Sequence, residues 1–296
     1  MLTIQLDAPN DLNLRDLPTP VPGPGEVLIR FKASAINPAD LKIRNGAIVP
    51  LSGDYPFILG WDLVGQVAGL GPETVGPAEG TRVLAMSNMA VTARGTWSEY
   101  VVLPASSITP APEGIESAVL AQLPLVGLTA LKAVEDLAPA AGDRILVVGA
   151  AGAVGWIVVQ LLLNRGLQVH ALVLSESQAE PLRTAGVSEV YVDDVPSNSF
   201  DRIVDAAGID IAEALRPGGT YVSVVPGTEP GGDSMEGKTG TVVRIEESGE
   251  RLAVLAGHVE SGTLTLPAPT VFGLRDIHKA FESYETRAGG RTVLVL

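Results

Sequence analysis

Cysteine is absent from the 296 residues, histidine occurs three times, and aromatic side chains make up only 4%. Without cysteine there is no disulfide, no thiolate nucleophile and no thiolate metal ligand. His170, His258 and His278 stand far apart in no ligand pattern, so no catalytic metal is expected. His170 lies in an apolar run and reads as a strand residue. Positive charge is scarce as well. Twenty Lys and Arg against 34 Asp and Glu leave a formal net charge of −14. Phosphate backbones and anionic lipids are gripped by clustered Lys and Arg, so neither nucleic acid nor a membrane surface is an expected partner. A local basic pocket for a phosphorylated cofactor stays open. Long hydrophobic runs are missing too: the longest, Trp156–Leu163, is too short to span a bilayer. The stretch from Met1 to Asp7 has neither the basic nor the long apolar region of a signal peptide. A soluble, cytoplasmic protein is the expectation.

Hydrophobic residues at 46% and charged residues at 18% are enough for a substantial core. Scattered glycine and proline mark many turns and no repeat. The first hundred residues read as short strands, among them Glu26–Lys32, Leu63–Ala68, Arg82–Ala85 and Trp97–Val102, which predicts a β-rich, partly barrel-like domain. Ala118–Leu137 reads as helix. Strands and helices then alternate. Arg144–Val148, Leu167–Leu174, Glu189–Val192, Arg202–Asp205 and Thr220–Val225 read as strands, and Gly155–Asn164, Gln178–Ala185 and Ile211–Leu215 as helices. Such alternation implies right-handed crossovers and a doubly wound parallel sheet of the Rossmann type, an α/β fold. Glu229–Thr241 reads as a polar, mobile loop. Leu252–Val259 and Asp276–Thr286 read as helices and Thr292–Leu296 as a closing strand.

Arg144–Gly155 reads RILVVGAAGAVG: an apolar strand runs into Gly149, Gly152 and Gly155, and an apolar helix follows. A strand-to-helix turn of this kind lets main-chain N–H groups approach a pyrophosphate at the positive end of a helix dipole. Gly155 would permit close packing of helix on strand. The motif is AxGxxG, with Ala150 in the first glycine position. The amides of Gly149, Ala151, Gly152, Ala153, Val154 and Gly155 are the expected phosphate contacts, and Val225, closing a later strand, is counted with the cofactor residues. An NAD-binding site places an acid at the end of the second strand; here Leu174 and Ser175 stand there, with Glu176 one residue late. Ser175, Gln178 and Arg183 are candidates to meet a 2′-phosphate. The balance favours NADPH, with NADH as the alternative.

Several segments, in order, resemble the quinone oxidoreductase branch of the zinc-independent medium-chain dehydrogenase/reductases. They are Ala35–Gly46 (AINPADLKIRNG), Pro56–Ala68 (PFILGWDLVGQVA), Gly80–Val83, Gly95–Val101, Leu123–Leu131 (LPLVGLTAL), the Gly-rich turn, Leu252–Leu264 and Val271–Leu296. The resemblance implies a GroES-like β-rich substrate domain over 1–117 and 263–296 and a Rossmann nucleotide-binding domain over 118–262, with nicotinamide held in the cleft. It implies NADPH-dependent reduction of quinones or α,β-unsaturated carbonyls, often by homodimers. By the same resemblance Thr129 is a nicotinamide-side residue and Arg287 a C-terminal arginine near the cofactor. Departures are visible: Leu41 stands where the family often has Tyr or Trp, and Gln178 where a Lys is common. The Rossmann half is trimmed near 208–211 and 227–241.

Hydride transfer to an enone needs donor and acceptor held together and a hydrogen-bond donor for the oxygen that gains charge. Asn37 is the first candidate to orient substrate or ribose, although Asn37-Pro38-Ala39-Asp40 also reads as a helix start with Pro at its first position. Lys42 could supply positive charge and Tyr55 a phenol; packing and solvation are the ordinary roles of both. Two other readings are an enoyl reductase of a biosynthetic, polyketide-like pathway and a dinucleotide-binding protein with little turnover.

Overall fold

The computed structural model describes residues 1–296 apart from 52–54, 229 and 287–289. Its chain forms two units, Met1–Leu125 with Glu246–Leu296, and Val126–Ile245.

The first unit opens with β1 (Leu2–Ala8), β2 (Asp11–Asp16), β3 (Glu26–Ala35) and α1 (Pro38–Arg44). It continues through β4 (Phe57–Ile58), β5 (Asp62–Leu70), β6 (Arg82–Met86), α2 (Met89–Thr92), β7 (Tyr100–Pro104), β8 (Ile108–Pro110) and α3 (Ser117–Leu120). β3 shows the logic of its sequence: Val27, Ile29, Phe31 and Ala33 are buried while Arg30 and Lys32 face water, the period of two that half-buried strands require. It is the hub of a mainly antiparallel sheet. β5 pairs along one edge, and β7 and the C-terminal strand share the other. The strand expected at Trp97–Val102 lies slightly later, at β7; Trp97 instead bonds Leu59 and Ile4 through its main chain.

The helical stretch expected over Ala118–Leu137 is two helices. α3 ends at Leu120 and α4 (Pro124–Leu137) starts afresh. Pro124 has no N–H to donate, so it fits a first helical position, where that N–H has no acceptor to meet. α4 runs from the first unit into the second.

The second unit contains β9 (Arg144–Val148), α5 (Ala153–Leu163), β10 (Gln168–Leu172), α6 (Glu176–Thr184), β11 (Glu189–Tyr191), β12 (Phe200–Asp205), β13 (Leu215–Ser223) and β14 (Thr239–Val242). All six strands are parallel, in the order β11-β10-β9-β12-β13-β14. The continuous apolar run of β9 fits a strand covered on both faces. The expected helix at Ile211–Leu215 is a single 3-10 turn at Ala212–Ala214, and β13 begins at Leu215. Val225 lies beyond that strand. The loop expected over 229–241 contains a 3-10 turn, Gly232–Met235, and the sixth strand, β14. Among the described residues no α-helix lies between β11 and β14. One face, with Leu146, Leu172, Ile203 and Tyr221, is covered instead by Tyr191, Val195, Ile211 and Met235.

The chain returns to the first unit with α7 (Gly249–Glu260), β15 (Thr270–Gly273), α8 (Ile277–Glu285) and β16 (Thr292–Val295). α7, expected with the nucleotide-binding half, packs on β8 and β6. β16 pairs with β3.

Candidate active site

In the first unit a group of polar side chains has been drawn out of water. Asn37, Asp40 and Asp62 are fully buried and Arg291 is half-buried. Asn37 caps α1 with Pro38 at its first position, and Asp40 Oδ2 accepts the Asn37 N–H at 2.9 Å. Asp40 Oδ1 accepts the Gly60 N–H at 3.2 Å. Asp62, the first residue of β5, accepts the Asn37 amide at 2.6 Å on one oxygen and the Leu125 N–H at 2.6 Å on the other. Leu125 lies in the first turn of α4, whose dipole favours the carboxylate. Arg291, just before β16, donates to Asn37 Oδ1 at 2.9 Å. The Asn37 amide also donates to the Ala35 carbonyl at 3.4 Å. Its polar groups are thus engaged inside the cluster.

Burial dominates the electrostatics. It pushes Asp40 up to about 8, aided by the neighbouring Asp62 charge and opposed by the N–H groups of Asn37 and Gly60. Burial likewise pushes Asp62 up to about 6, while Arg291, the Leu125 N–H and the Asn37 amide pull it down. Arg291 is lowered by its own burial, with Asp62 acting the other way.

The other first-unit candidates have separate surroundings. Lys42 is on α1, half-buried. Tyr55 stacks on Phe57, with ring centroids 4.6 Å apart, and its hydroxyl is buried without a hydrogen-bond partner.

In the second unit the Gly-rich turn has the shape its sequence predicts. Gly149 has φ +71°, and a side chain there would press on Ala207 at 3.0 Å. A Cβ on Gly155 would lie 2.2 Å from the Gly149 carbonyl oxygen and 2.8 Å from the Ala150 Cα. The helix can therefore approach the turn only with glycine there. Gly152 is the N-cap of α5, and Ala153, Val154 and Gly155 form its first turn. N–H groups in a first helical turn lack intrahelical acceptors and face outward for an anion. Next to the turn, Asp205 at the end of β12 accepts the N–H groups of Ala207 (2.8 Å), Gly208 (2.9 Å) and Ile209 (3.1 Å), folding that loop tightly. Thr129 is buried on α4.

At the end of β10, Leu174 is 73% exposed, and its N–H donates to Gln178 Oε1 at 3.0 Å. Ser175 caps α6 and its hydroxyl meets that of Ser177 at 2.9 Å. Arg183 is paired with Glu176 at 2.8 Å. Val225 donates its N–H to Ser223 Oγ at 3.1 Å. Arg287 lies outside the described residues. His170 is buried in β10, its ring against Phe200, with no hydrogen bond to either ring nitrogen. Among the described residues no three His, Cys, Asp or Glu side chains group so as to hold a metal ion.

Asp62 and Arg291 were not singled out from sequence. The signal was present for Asp62: a carboxylate opening an otherwise apolar strand must be partnered if buried. Arg291 had none, since its partner Asn37 is 254 residues away in the chain.

Comparison with known proteins gives these features a family. Residues 23–113 match the GroES-like domain of alcohol dehydrogenases, and residues 179–294 match the zinc-binding dehydrogenase family. A mycocerosic acid synthase-like polyketide synthase of Mycobacterium tuberculosis is 31% identical over 73% of this chain, which spans only 10% of that relative. A trans-enoyl reductase of Aspergillus terreus is 32% identical over 65% of this chain and 67% of its own length. An NADPH-dependent alkenal/one oxidoreductase of Arabidopsis thaliana is 27% identical over 91% of this chain and 72% of its own length. Among solved structures, an alcohol dehydrogenase superfamily protein of Novosphingobium aromaticivorans has a TM-score of 0.90 at 26% identity. A quinone oxidoreductase of Coxiella burnetii has a TM-score of 0.88 at 27% identity; each comparison covers 100% of this chain and 99% of the other. With a GroES-like unit, a parallel nucleotide-binding sheet and relatives of this kind, the chain belongs to the medium-chain dehydrogenase/reductase family, in its quinone oxidoreductase branch.

Proposed function

We propose that this chain is an NADPH-dependent reductase of quinones or α,β-unsaturated carbonyls that works without zinc, as a cytoplasmic homodimer. The observation that carries the reading is the turn from β9 to α5, where Gly155 lets the helix pack closely on the turn and the first helical turn offers main-chain amides to a pyrophosphate. The turn fits a dinucleotide, which when bound supplies the hydride. In this reading the N–H groups of Ala151, Ala153, Val154 and Gly155 hold its phosphates, while those of Gly149 and Gly152, expected among the contacts, already donate to the carbonyls of Leu172 at 3.0 Å and Gly149 at 2.9 Å. Ser175, Gln178 and Arg183 flank the adenosine end, and a 2′-phosphate must compete with Glu176 for Arg183. Thr129 and Val225 complete the cofactor side, and the family resemblance alone adds Arg287. In the first unit Asn37 holds Asp62 and Arg291 in register, and Lys42 and Tyr55 border the substrate side. The relatives' names support the substrate class and the NADPH preference. The zinc-free part rests on the lack of cysteine and of any metal-holding group among the described residues.

Titration calorimetry with NADPH and NADH, followed by turnover on a panel of small quinones and enones, tests the reading. NADPH should bind more tightly than NADH and be oxidised steadily by at least one acceptor, with no loss of rate after dialysis against a chelator. Absence of binding to either nucleotide would end it. Turnover confined to enoyl thioesters would favour a biosynthetic enoyl reductase, the reading closer to the Aspergillus terreus relative. Binding without turnover on any acceptor would leave a dinucleotide-binding protein.

A further inference from the structure

Conjugate reduction needs a hydrogen-bond donor for the oxygen that becomes an enolate. Asn37, the obvious candidate, has its amide engaged by Asp62, Ala35 and Arg291. A buried N–H or O–H without an acceptor costs about 1–3 kcal/mol, so such groups call for a missing partner. Among the described residues of the first unit, the buried donors with no partner are Tyr55 Oη, Trp61 Nε1 and Arg291 Nε. Arg291 is committed to Asn37 through another nitrogen, and the Tyr55 ring is held on Phe57.

Trp61 differs from both. It is 7% exposed, and the chain on either side of it is pinned by the buried cluster. Asp40 holds the N–H of Gly60, both carboxylate oxygens of Asp62 are bonded, and the Trp61 carbonyl accepts the Ser87 N–H at 2.8 Å. A donor on so constrained a segment is preorganised, which is the property that makes such a group effective.

We propose that the indole N–H of Trp61 receives the substrate's carbonyl oxygen as negative charge develops on it. This assignment rests on the reductase reading above. In the step, the electron pair of the transferred hydride forms a C–H bond at the β-carbon. The C=C pair moves to join the α-carbon to the carbonyl carbon, and the C=O pair becomes the enolate oxygen held by Trp61. A bound NADPH would supply that hydride with its two electrons, and a proton from water at the α-carbon completes the ketone.

Trp61→Phe keeps an aromatic ring and deletes the N–H. It should lower kcat on an enone about 100-fold while the Kd for NADPH stays put. A second measurement does not depend on turnover. The chain has three tryptophans, so a 15N-labelled sample shows three indole signals, assigned with the W61F variant. Saturating wild-type protein with NADPH and cyclohexanone, a carbonyl that offers no C=C bond, should move the Trp61 signal downfield. The Trp97 signal, whose N–H already donates to Ser34 at 3.0 Å, should stay. If W61F keeps kcat within about twofold of a working wild type, or the Trp61 signal does not move, the assignment falls while the reductase reading stands. If wild type reduces no acceptor, the reductase reading falls, and the indole signal alone decides whether Trp61 receives carbonyl oxygens.

Discussion

Asp40 sits wholly out of water, and its carboxyl is pushed from an ordinary 3.8 up to about 8. A folded-state value above the unfolded one means that folding favours the protonated form. The contribution is fully present below about pH 4 and is lost as pH rises through about 8. Stability should therefore decline across this window by at most about 1.4 kcal/mol per pH unit from this group alone. Asp40→Asn should flatten the decline, read from urea midpoints measured between pH 5 and 9; an unchanged slope would exclude Asp40 as its source. Arg291 supports a second test. Arg291→Met leaves the buried Asp62 charge without its counter-charge and should cost about 3–5 kcal/mol. Adding Asp62→Asn should recover part of that loss in the same urea assay. No recovery would mean that Arg291 stabilises by packing and not by charge.

Among the elements, two helical glycines should respond in opposite ways to the same change. Gly155→Ala drives a methyl to 2.2 Å from the Gly149 carbonyl oxygen, so α5 must move off the turn. The Kd for NADPH should rise at least about tenfold and stability fall by about 1–3 kcal/mol. Gly257 lies inside α7, exposed, with nothing within 4 Å of the place a methyl group would take. Gly257→Ala should raise stability by up to about 1 kcal/mol, because alanine loses less backbone entropy on entering a helix. Thermal melts of the pair provide the comparison, and destabilisation by Gly257→Ala would show that α7 makes a contact at that face. The elements themselves were largely legible. β9, α5, β10 and β12 lie within a few residues of where their apolar runs placed them. β14 was not, because its sequence, Thr-Gly-Thr-Val, has the composition of a loop and becomes a strand only by pairing with β13.

For the molecule as a whole, the net charge of −14 means mutual repulsion that folding concentrates. Raising salt from about 10 mM to about 150 mM shortens the Debye length below the span of a domain and should raise the Tm by a few degrees. A Tm that falls with salt would show that attractive surface pairs such as Arg44–Glu285 outweigh the repulsion. No described helix is long and apolar enough to cross a membrane.

The residues alone determined the strand-to-helix glycine turn, the parallel alternation around it and the absence of thiolate chemistry. Each is local: a period, a glycine or a missing residue type can be read within a short window. Tertiary structure decided which side chains share the buried cluster, since Asn37, Asp62, Leu125 and Arg291 meet only when α1, β5, α4 and the approach to β16 converge. It also decided that Gln178 and Arg183 bond within their own chain neighbourhood, and that Asn37 is engaged while Trp61 is left with a free N–H. Hydrogen-bond partners are chosen by proximity and by the cost of leaving a buried group unpaired, and neither is encoded in the spacing of residues along the chain.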